Sequence, residues 1–282
     1  MKGFINLIKP EGMSSAYAVG VVKKKFNLPC GHMGTLDPMA SGILPVGIAK
    51  TSRLFDYLLD KEKTYVAKFK FGVLTDTLDV TGTVSEEGKR VPSMAEINSV
   101  LHKFVGEIDQ IPPNYSAKCV DGKRGYQLAR KGIQFELAPK KVTVLSAKCL
   151  EQTDVDEFKF EFTCKGGTYI RSLARDIASA CDTIGVMSAL DRTACGIFNY
   201  SNGVSVEELK NSDNPKKYLI APDLSVSFEK LVLSNEQATK VLNGLYENYG
   251  IKDGIYRVYN ETDFWGVGIA ECGAIKIKSY VR

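Results

Sequence analysis

The sequence contains few of the side chains from which metal and nucleotide sites are built. It has two histidines, His32 and His102, and its seven cysteines include no Cys-x-x-Cys pair. That pattern indicates neither a zinc site nor a disulfide framework. The phosphate-binding patterns Gly-x-x-x-x-Gly-Lys-Ser/Thr and Gly-x-Gly-x-x-Gly are also missing. We therefore predict a protein that uses no metal and no cofactor.

Long apolar runs are missing as well. No stretch of the 282 residues approaches the roughly 20 apolar residues that cross a bilayer. The first residues, MKGFIN, do not form the apolar core of a signal peptide. No Gly-x-Ser-x-Gly accompanies either histidine, which disfavours a serine hydrolase. These absences favour a cytoplasmic protein with reduced thiols and no membrane partner.

The spacing of apolar residues predicts an α+β fold. Residues 63–71 alternate between apolar and charged side chains, as in a half-buried strand. The sequence SMAE at 93–96 is a capping box, and the apolar spacing behind it predicts a helix. Ser14 or Ser15 can cap an earlier helix that runs to about Phe26. Strands interleave with helices without a strict βαβ rhythm, so we expect a mixed, largely antiparallel sheet with flanking helices.

The chain is predicted to contain a large domain, 1–222, and a small β-rich C-terminal appendage, 223–282. Within the large domain, 112–141 is rich in proline, glycine and basic residues and is expected to leave the core as an exposed excursion. The cations of this region are Lys118, Lys123, Arg124, Arg130, Lys131, Lys140 and Lys141. With a net charge of +4, they favour a polyanionic partner. A solvated charged loop is the alternative.

The stretch GHMGTLDP at 31–38 combines two glycines, a histidine, an aspartate and a proline. A surface turn is its simplest interpretation, because Gly, Asp and Pro are common turn residues. Other polar residues also have simple structural interpretations when each is considered alone. Tyr65 fits a core-facing position of a strand, and Arg171 fits a helix arginine that reaches solvent. Asp76 and Asp79 fit a hairpin.

Taken together, these stretches resemble the TruB family of tRNA pseudouridine synthases. The resemblance covers most of residues 3–200, and its motifs occur in the family's order. They are KPEGMSS at 9–15, GHMGTLDP at 31–38, KTY at 63–65, PNYSA at 113–117 and GTYIRSL at 167–173. The sequence departs from the family's usual pattern at Met33, Gly166 and Asp191, where threonine, lysine and arginine are common.

The resemblance implies a role for each matching residue. Asp37 matches the catalytic aspartate, Tyr65 the tyrosine that stacks on the target base, and Arg171 the arginine that pairs with the aspartate. Residues that match positions lining the bound nucleotide are His32, Tyr169 and Leu190. The region 112–141 matches an RNA-gripping insertion, and 223–282 lies where family members carry a PUA-like or related RNA-binding appendage.

The resemblance also implies a substrate and a reaction. A uridine in the TΨC loop of tRNA, at position 55 in tRNA numbering, would be isomerised to pseudouridine. The implied partner is the TΨC stem-loop, and we expect a monomer. The implied reaction breaks the C1′–N1 bond, turns the base and rejoins it through C5. This sequence of steps needs no redox cofactor.

The chemistry of these residue types suits that reaction. One carboxylate can attack the sugar, attack the base or take a sugar proton to form a glycal, and these alternatives remain open. A guanidinium close to a carboxylate lowers its pKa by about 1–3 units, which suits Arg171. Stacking, worth roughly 1–3 kcal/mol per base, suits Tyr65. The target base must be flipped out of its loop.

The residues around Asp37 fit an approach by RNA. Gly31 and Gly34, which lack Cβ, are expected to give clearance to an RNA backbone. His32 is favoured to stack in the space that the flipped base leaves, with a hydrogen bond to backbone as the alternative. Two other functions compete with this enzyme. One is an RNA chaperone that helps tRNA fold without catalysis, and the other is a sister synthase that acts on another RNA.

Overall fold

A computed structural model describes most of the chain. It describes all residues except 59–61, 117–118, 121–122, 126–127, 129–132, 134, 136, 262 and 282, and only the backbone of 119–120 and 123–124. Within those described ranges, no helix is long and apolar enough to cross a membrane.

Strands and helices follow one another along the chain without a repeating order. The strands are β1 (Gly3–Lys9), β2 (Cys30–His32), β3 (Ser41–Ile48), β4 (Lys63–Phe71), β5 (Val73–Thr75), β6 (Val84–Glu87), β7 (Gly106–Gln110), β8 (Cys119–Val120), β9 (Lys123–Arg124), β10 (Lys140–Asp154), β11 (Glu157–Cys164), β12 (Gly185–Cys195), β13 (Phe198–Asn199), β14 (Val204–Ser205), β15 (Leu219–Ile220), β16 (Glu229–Leu233), β17 (Gly254–Asn260), β18 (Asp263–Glu271) and β19 (Ala274–Tyr280). The α-helices are α1 (Ser15–Phe26), α2 (Met94–Leu101), α3 (Ile170–Ala180), α4 (Val206–Asn211) and α5 (Asn235–Leu242). Short 3-10 helices span Ala49–Tyr57, His102–Phe104, Tyr200–Asn202, Pro215–Tyr218 and Pro222–Ser225.

The chain forms two compact units. The first combines Met1–Lys61 with Ala194–Arg282, and the second is Glu62–Thr193. The first unit is therefore discontinuous in sequence. The predicted appendage, 223–282, belongs to this first unit, and its boundary at 222 stays a prediction.

Strand β1 organises the sheet of the first unit. It pairs antiparallel with β3 along its whole length, from Gly3 opposite Ile48 to Lys9 opposite Gly42. On its other side it pairs in parallel with β14 and antiparallel with β15. Strand β2 adds to β3 and places His32 opposite Val46. Because β1 and β3 have nearly continuous apolar sequences, both are almost entirely buried.

The C-terminal part of the first unit contains a four-stranded sheet in the order β16-β17-β18-β19. Strands β16 and β17 are parallel, and the other pairs are antiparallel. Helix α5 packs on this sheet, and Val241, Val258 and Trp265 belong to its core. Tyr259 and Phe264 of the same sheet join a second core with Phe4 of β1.

The second unit contains strands in the order β12-β4-β11-β10-β7. Strand β4 alternates strictly between buried and half-buried residues, as the sequence predicted. Its Phe69 packs against Phe160 and Phe162 of β11, with ring centroids 4.6 and 5.5 Å away. Such contacts make the second unit's core rich in aromatic rings. The α+β prediction, with mixed and largely antiparallel strands, is confirmed.

The predicted helix boundaries agree with the structure where capping signals are present. Ser93 and Glu96 form the reciprocal capping box at the start of α2. Ser14, not Ser15, is the cap of α1, because its side chain accepts the N–H of Tyr17. The sequence also predicts a short helix around 126–131, and that range falls mostly outside the described residues.

Candidate functional site

Asp37 lies at the first position of a tight turn. The carbonyl of Asp37 accepts the N–H of Ala40 at 3.0 Å, so residues 37–40 form a β-turn with Pro38 second. Proline favours that position because its ring fixes φ near the required value. The turn predicted for this stretch is present, and it determines where the Asp37 side chain leaves the backbone.

The KPEGMSS segment, 9–15, holds this turn on its downstream side. The carbonyl of Pro38 accepts the N–H of Gly12 at 2.8 Å and lies 3.4 Å from the Lys9 ammonium. The ammonium also donates to the carbonyls of Pro10, at 2.9 Å, and Met13, at 2.7 Å. Lys9 is fully buried, so its charge is stabilised by backbone dipoles.

Ser15 holds the residue just before Asp37. Its hydroxyl donates to the carbonyl of Leu36 at 2.7 Å and accepts the N–H of the same residue at 2.9 Å. Both backbone groups of Leu36 are thereby satisfied by a single side chain. Asp37 thus lies between two residues whose backbones are bonded to the segment 9–15.

Backbone geometry and packing within the protein explain why both Gly31 and Gly34 of GHMGTLDP are glycines. Gly34 has φ +85°, a backbone conformation that glycine adopts at far lower cost than other residues. A Cβ on Gly31 would lie 3.3 Å from Cε2 of Phe55, so the ring packs closely against the glycine. His32 is half-buried on β2. RNA clearance, our interpretation of the glycines, is not required to explain either one.

Cys30, which precedes Gly31, is held as a neutral thiol. Burial raises its pKa to about 11, against a smaller lowering influence of Lys23. Its Sγ donates to the carbonyl of Leu28 at 3.3 Å. A thiol with so high a pKa is a poor nucleophile at neutral pH, so Cys30 is no candidate for covalent catalysis.

Arg171 lies in the first turn of α3, where groups of the second unit bond to its guanidinium. Its Nη1 donates to the carbonyl of Thr77 at 3.0 Å, and Nη2 donates to that of Tyr115 at 3.1 Å. Nη1 also lies 3.4 Å from Oδ2 of Asp79. The two side chains of this ion pair are 8% and 6% exposed. Arg171 is therefore buried, which rules out the alternative of a helix arginine that reaches solvent.

Asp79 was interpreted from the sequence as a hairpin residue. In the structure its carboxylate also pairs with Arg171. Its Oδ1 accepts from the hydroxyl of Thr77 at 2.8 Å and from the N–H of Thr81 at 3.0 Å. Leu78 just before it has φ +61°, which turns the chain so that Asp79 lies against Arg171. The closely spaced threonines and aspartates of TDTLDVTG could have indicated these bonds from the sequence, because such side chains often bond to nearby backbone groups in turns.

Asp76 behaves as the hairpin interpretation expected. Its Oδ1 accepts the N–H of Thr83 at 2.8 Å, next to the β5–β6 hairpin. Its Oδ2 accepts from the hydroxyl of Tyr115 at 3.2 Å. Asp76 is exposed whereas Asp79 is buried. The two carboxylates, three residues apart, therefore occupy quite different environments.

The remaining predicted site residues of the second unit lie on three elements. Tyr65 of β4 is 8% exposed and stands opposite Phe162 of β11. Tyr169 is the N-cap residue of α3, and Leu190 is half-buried on β12. The burial of Tyr65 agrees with its interpretation as a core-facing residue of a strand.

Gln110 is a further residue at the start of α3 that the sequence did not point to. Its side-chain amide accepts the N–H of Tyr169 at 2.8 Å and donates to the carbonyl of Tyr169 at 3.1 Å. Ser172 donates to the carbonyl of Ile111 at 2.8 Å. The end of β7 therefore fixes the first turn of α3, from which Arg171 extends.

The described residues include part of the predicted basic surface and many of the side-chain types that bind metals. Among the described side chains, no three of the types His, Cys, Asp and Glu are grouped as metal ligands. Of the basic residues in 112–141, Lys118, Arg130 and Lys131 lie outside the described residues. Lys141 is exposed and pairs with Glu107 at 2.6 Å.

The chain matches the model of a known family. Residues 23–170 match the model described as TruB family pseudouridylate synthase, N-terminal domain. The tRNA pseudouridine synthase B of Clostridium kluyveri is 37% identical over 95% of this chain and 96% of its own length. That of Caldanaerobacter subterraneus is 36% identical over 98% of each chain.

Solved structures show the same fold. The crystal structure of a Cbf5-Nop10-Gar1 complex contains a chain that matches 99% of this one and 85% of its own length, with a TM-score of 0.75 and 25% identity. An H/ACA RNP bound to a substrate RNA containing 2′-deoxyuridine contains a chain with a TM-score of 0.73 and 24% identity, covering 99% of this chain and 85% of that one. The fold is therefore shared over nearly the whole length.

Proposed function

This chain belongs to the TruB family of pseudouridylate synthases, and on that premise we propose that it isomerises the uridine at position 55 in the TΨC loop of tRNA. The observation that carries the proposal is the similarity to tRNA pseudouridine synthase B, at 36–37% identity over 95–98% of this chain. The chain also covers 96–98% of those relatives' own lengths. The chain and its relatives therefore share both the synthase region and the C-terminal residues.

Asp37 is the proposed catalytic carboxylate. It acts on the nucleotide by attacking the sugar, by attacking the base or by taking a sugar proton to form a glycal. In each case the C1′–N1 bond breaks, the uracil turns and C5 bonds to C1′. The C5 proton then leaves and N1, freed from the sugar, gains a proton, so the product is an isomer. The turn at 37–40 and its bonds to 9–15 support this role, because a reacting group must be held in one position.

Arg171 is proposed to pair with the Asp37 carboxylate when RNA is bound. A guanidinium suits this task because it stays charged even when buried, and Arg171 is buried beside Asp79. Tyr65 is proposed to stack on the uracil while it turns. Residues proposed to line the nucleotide are His32, Tyr169 and Leu190, with His32 filling the space that the base leaves.

The proposed partner is the TΨC stem-loop of tRNA. The excursion at 112–141 and the appendage at 223–282 would contact RNA backbone through their cations, and affinity should therefore fall as salt rises. We propose that the protein acts as a cytoplasmic monomer. Folding of tRNA by the same protein is compatible with this activity, whereas a pure chaperone needs no catalytic carboxylate.

Release of tritium from a tRNA transcript labelled with [5-³H]uridine tests the proposal. The wild-type protein should release the label, Asp37→Asn should release none, and a transcript with cytidine at position 55 should remain inert. Asp56→Asn is the matched control, because Asp56 is an exposed carboxylate of the same unit. Binding without release by the wild type would refute catalysis and favour the chaperone. Release from the cytidine-55 transcript would indicate a sister synthase with another target.

A further inference from the structure

Two adjacent serines at the start of α1 make different contacts. Ser14 is exposed and caps the helix, with its Oγ accepting the N–H of Tyr17 at 3.2 Å. Ser15 is 3% exposed and bonds to both backbone groups of Leu36. Because Ser14 already supplies the helix cap, the Ser15 hydroxyl is not needed for α1 itself.

The Leu36 backbone has no simple substitute for this hydroxyl. Leu36 is buried, and its N–H and carbonyl both point to one oxygen of Ser15. A hydroxyl can fill both roles because it is at once a donor and an acceptor. Removing it would leave two buried polar groups of the residue before Asp37 without this partner, and such groups move toward new partners or water.

We propose that Ser15 is a positioning residue for catalysis, which fixes the direction of the Asp37 carboxylate by holding the peptide groups of Leu36. The inference rests on the proposed catalytic role of Asp37. On the other side of Asp37, Pro38 is held by Gly12 and Lys9. With Ser15 in place, the backbone is bonded on both sides of the carboxylate. Without it, the two bonds on the upstream side are lost.

The expected consequence is a loss of rate with little loss of affinity. A displacement of about 1 Å in a reacting group can lower a rate on the order of 100-fold. Ser15 is buried and is not proposed to contact RNA, so the dissociation constant for tRNA should change little. A merely structural serine would instead lower stability, and binding and rate would fall together with the folded fraction.

Single-turnover tritium release separates these cases. Ser15→Ala should release the label about 10- to 100-fold more slowly than wild type, with the tRNA dissociation constant within about twofold of the wild-type value by filter binding. Ser14→Ala, which loses the helix cap alone, should keep a nearly normal rate. Ser15→Thr keeps a hydroxyl and should recover much of the rate lost in Ser15→Ala.

Four results would decide against the inference or its premise. Equal rates for Ser15→Ala and Ser14→Ala, with Asp37→Asn inactive, would overturn the role of Ser15 and leave the proposed function intact. A Ser15→Thr rate no better than that of Ser15→Ala would also overturn it. So would a fall in rate matched by a fall in the folded fraction, measured by circular dichroism. Full activity of Asp37→Asn would instead refute the proposed function.

Discussion

The Asp37 turn (residues 36–40) and the Arg171 site (Thr77, Asp79, Tyr115 and Arg171) are stabilised by different kinds of contact. In the turn, the contacts described above bond to backbone groups on either side of Asp37. In the Arg171 site, they bond to the guanidinium itself. A change at a distance can therefore redirect Asp37 through the backbone. Arg171 depends instead on its immediate partners, among them the Asp79 carboxylate.

The largest effect should follow from removing that carboxylate. Asp79→Ala removes one partner of a buried ion pair, a change that typically costs about 3–5 kcal/mol. We expect the free energy of unfolding, measured by urea titration, to fall by that amount. Turnover should fall as well, because Arg171 loses its orientation.

Asp76→Ala is the matched control for Asp79→Ala. Asp76 lies in the same loop but is exposed and does not bond to the guanidinium. Its replacement by alanine should therefore lower the free energy of unfolding by about 1 kcal/mol or less. Similar losses for the two variants would show that the hairpin, and not the ion pair, is what Asp79 stabilises. The contrast between the Arg171 site and the Asp37 turn would then weaken.

A smaller effect is expected from strain in the backbone that leads to Asp37. Gly34→Ala places a Cβ on a residue with φ +85°, which costs about 1 kcal/mol. The lost stability should be accompanied by a disproportionate loss of single-turnover rate, because the strain is three residues before Asp37. Thermal unfolding and tritium release, measured on the same preparation, test both parts.

Gly20→Ala provides the opposite control within the same unit. Gly20 is inside α1, and a Cβ there would meet nothing within 4 Å. Alanine in a helix interior is favoured over glycine by about 0.5–1 kcal/mol, so this variant should gain stability and keep its rate. A normal rate in Gly34→Ala would show that the turn tolerates backbone displacement, contrary to the comparison drawn above.

The smallest expected effect is on the alkylation rate of Cys30, the residue just before the GHMGTLDP stretch. Burial raises the pKa of Cys30 from 9 to about 11, so at pH 8 only about one thiol in a thousand is ionised. Alkylation by iodoacetamide should be slow at pH 8 and about tenfold faster at pH 9. Mass spectrometry of the Cys30 peptide gives the rate, with the exposed Cys272 as an accessible reference.

The sign of the accompanying stability change follows from the same pKa. In the unfolded chain the thiol ionises near 9, whereas in the folded chain it remains protonated to about 11. The folded state therefore retains a proton that the unfolded state loses, and stability falls as pH rises above about 9. Rapid alkylation of Cys30 at pH 8 would contradict the burial and indicate that this stretch opens.

Local signals in the sequence predicted local structure well. The alternation in β4, the capping box of Ser93 and Glu96, and the turn at Asp37-Pro38 each depend on residues a few positions apart. Sequence spacing carries the information that such contacts need. The family resemblance, which rests on ordered short motifs, is likewise confirmed by the match over 23–170.

Contacts between distant segments were beyond the reach of these signals. Ser14 and Ser15 were equal candidates for a helix cap, and the sequence did not show that Ser15 bonds instead to Leu36, 21 residues further on. Asp79 lies 92 positions before Arg171 (171 − 79), and Gln110 lies 59 positions before Tyr169. A motif shows that such residues recur in a family, but the fold shows which atoms they contact.

The discontinuity of the first unit has a consequence for synthesis of the chain. Strand β1 can pair with β3 as soon as Ile48 has been made, but its other edge awaits Val204 of β14 and Leu219 of β15. The 156 residues added after Ile48 up to and including Val204 (204 − 48) take about 8 to 30 s at the usual rates of translation, about 5–20 residues per second. During that time the nascent chain carries an open apolar edge, a known starting point for aggregation. Yield in the cell should therefore depend on chaperones that cover the ribosome exit, even though the finished protein buries that edge.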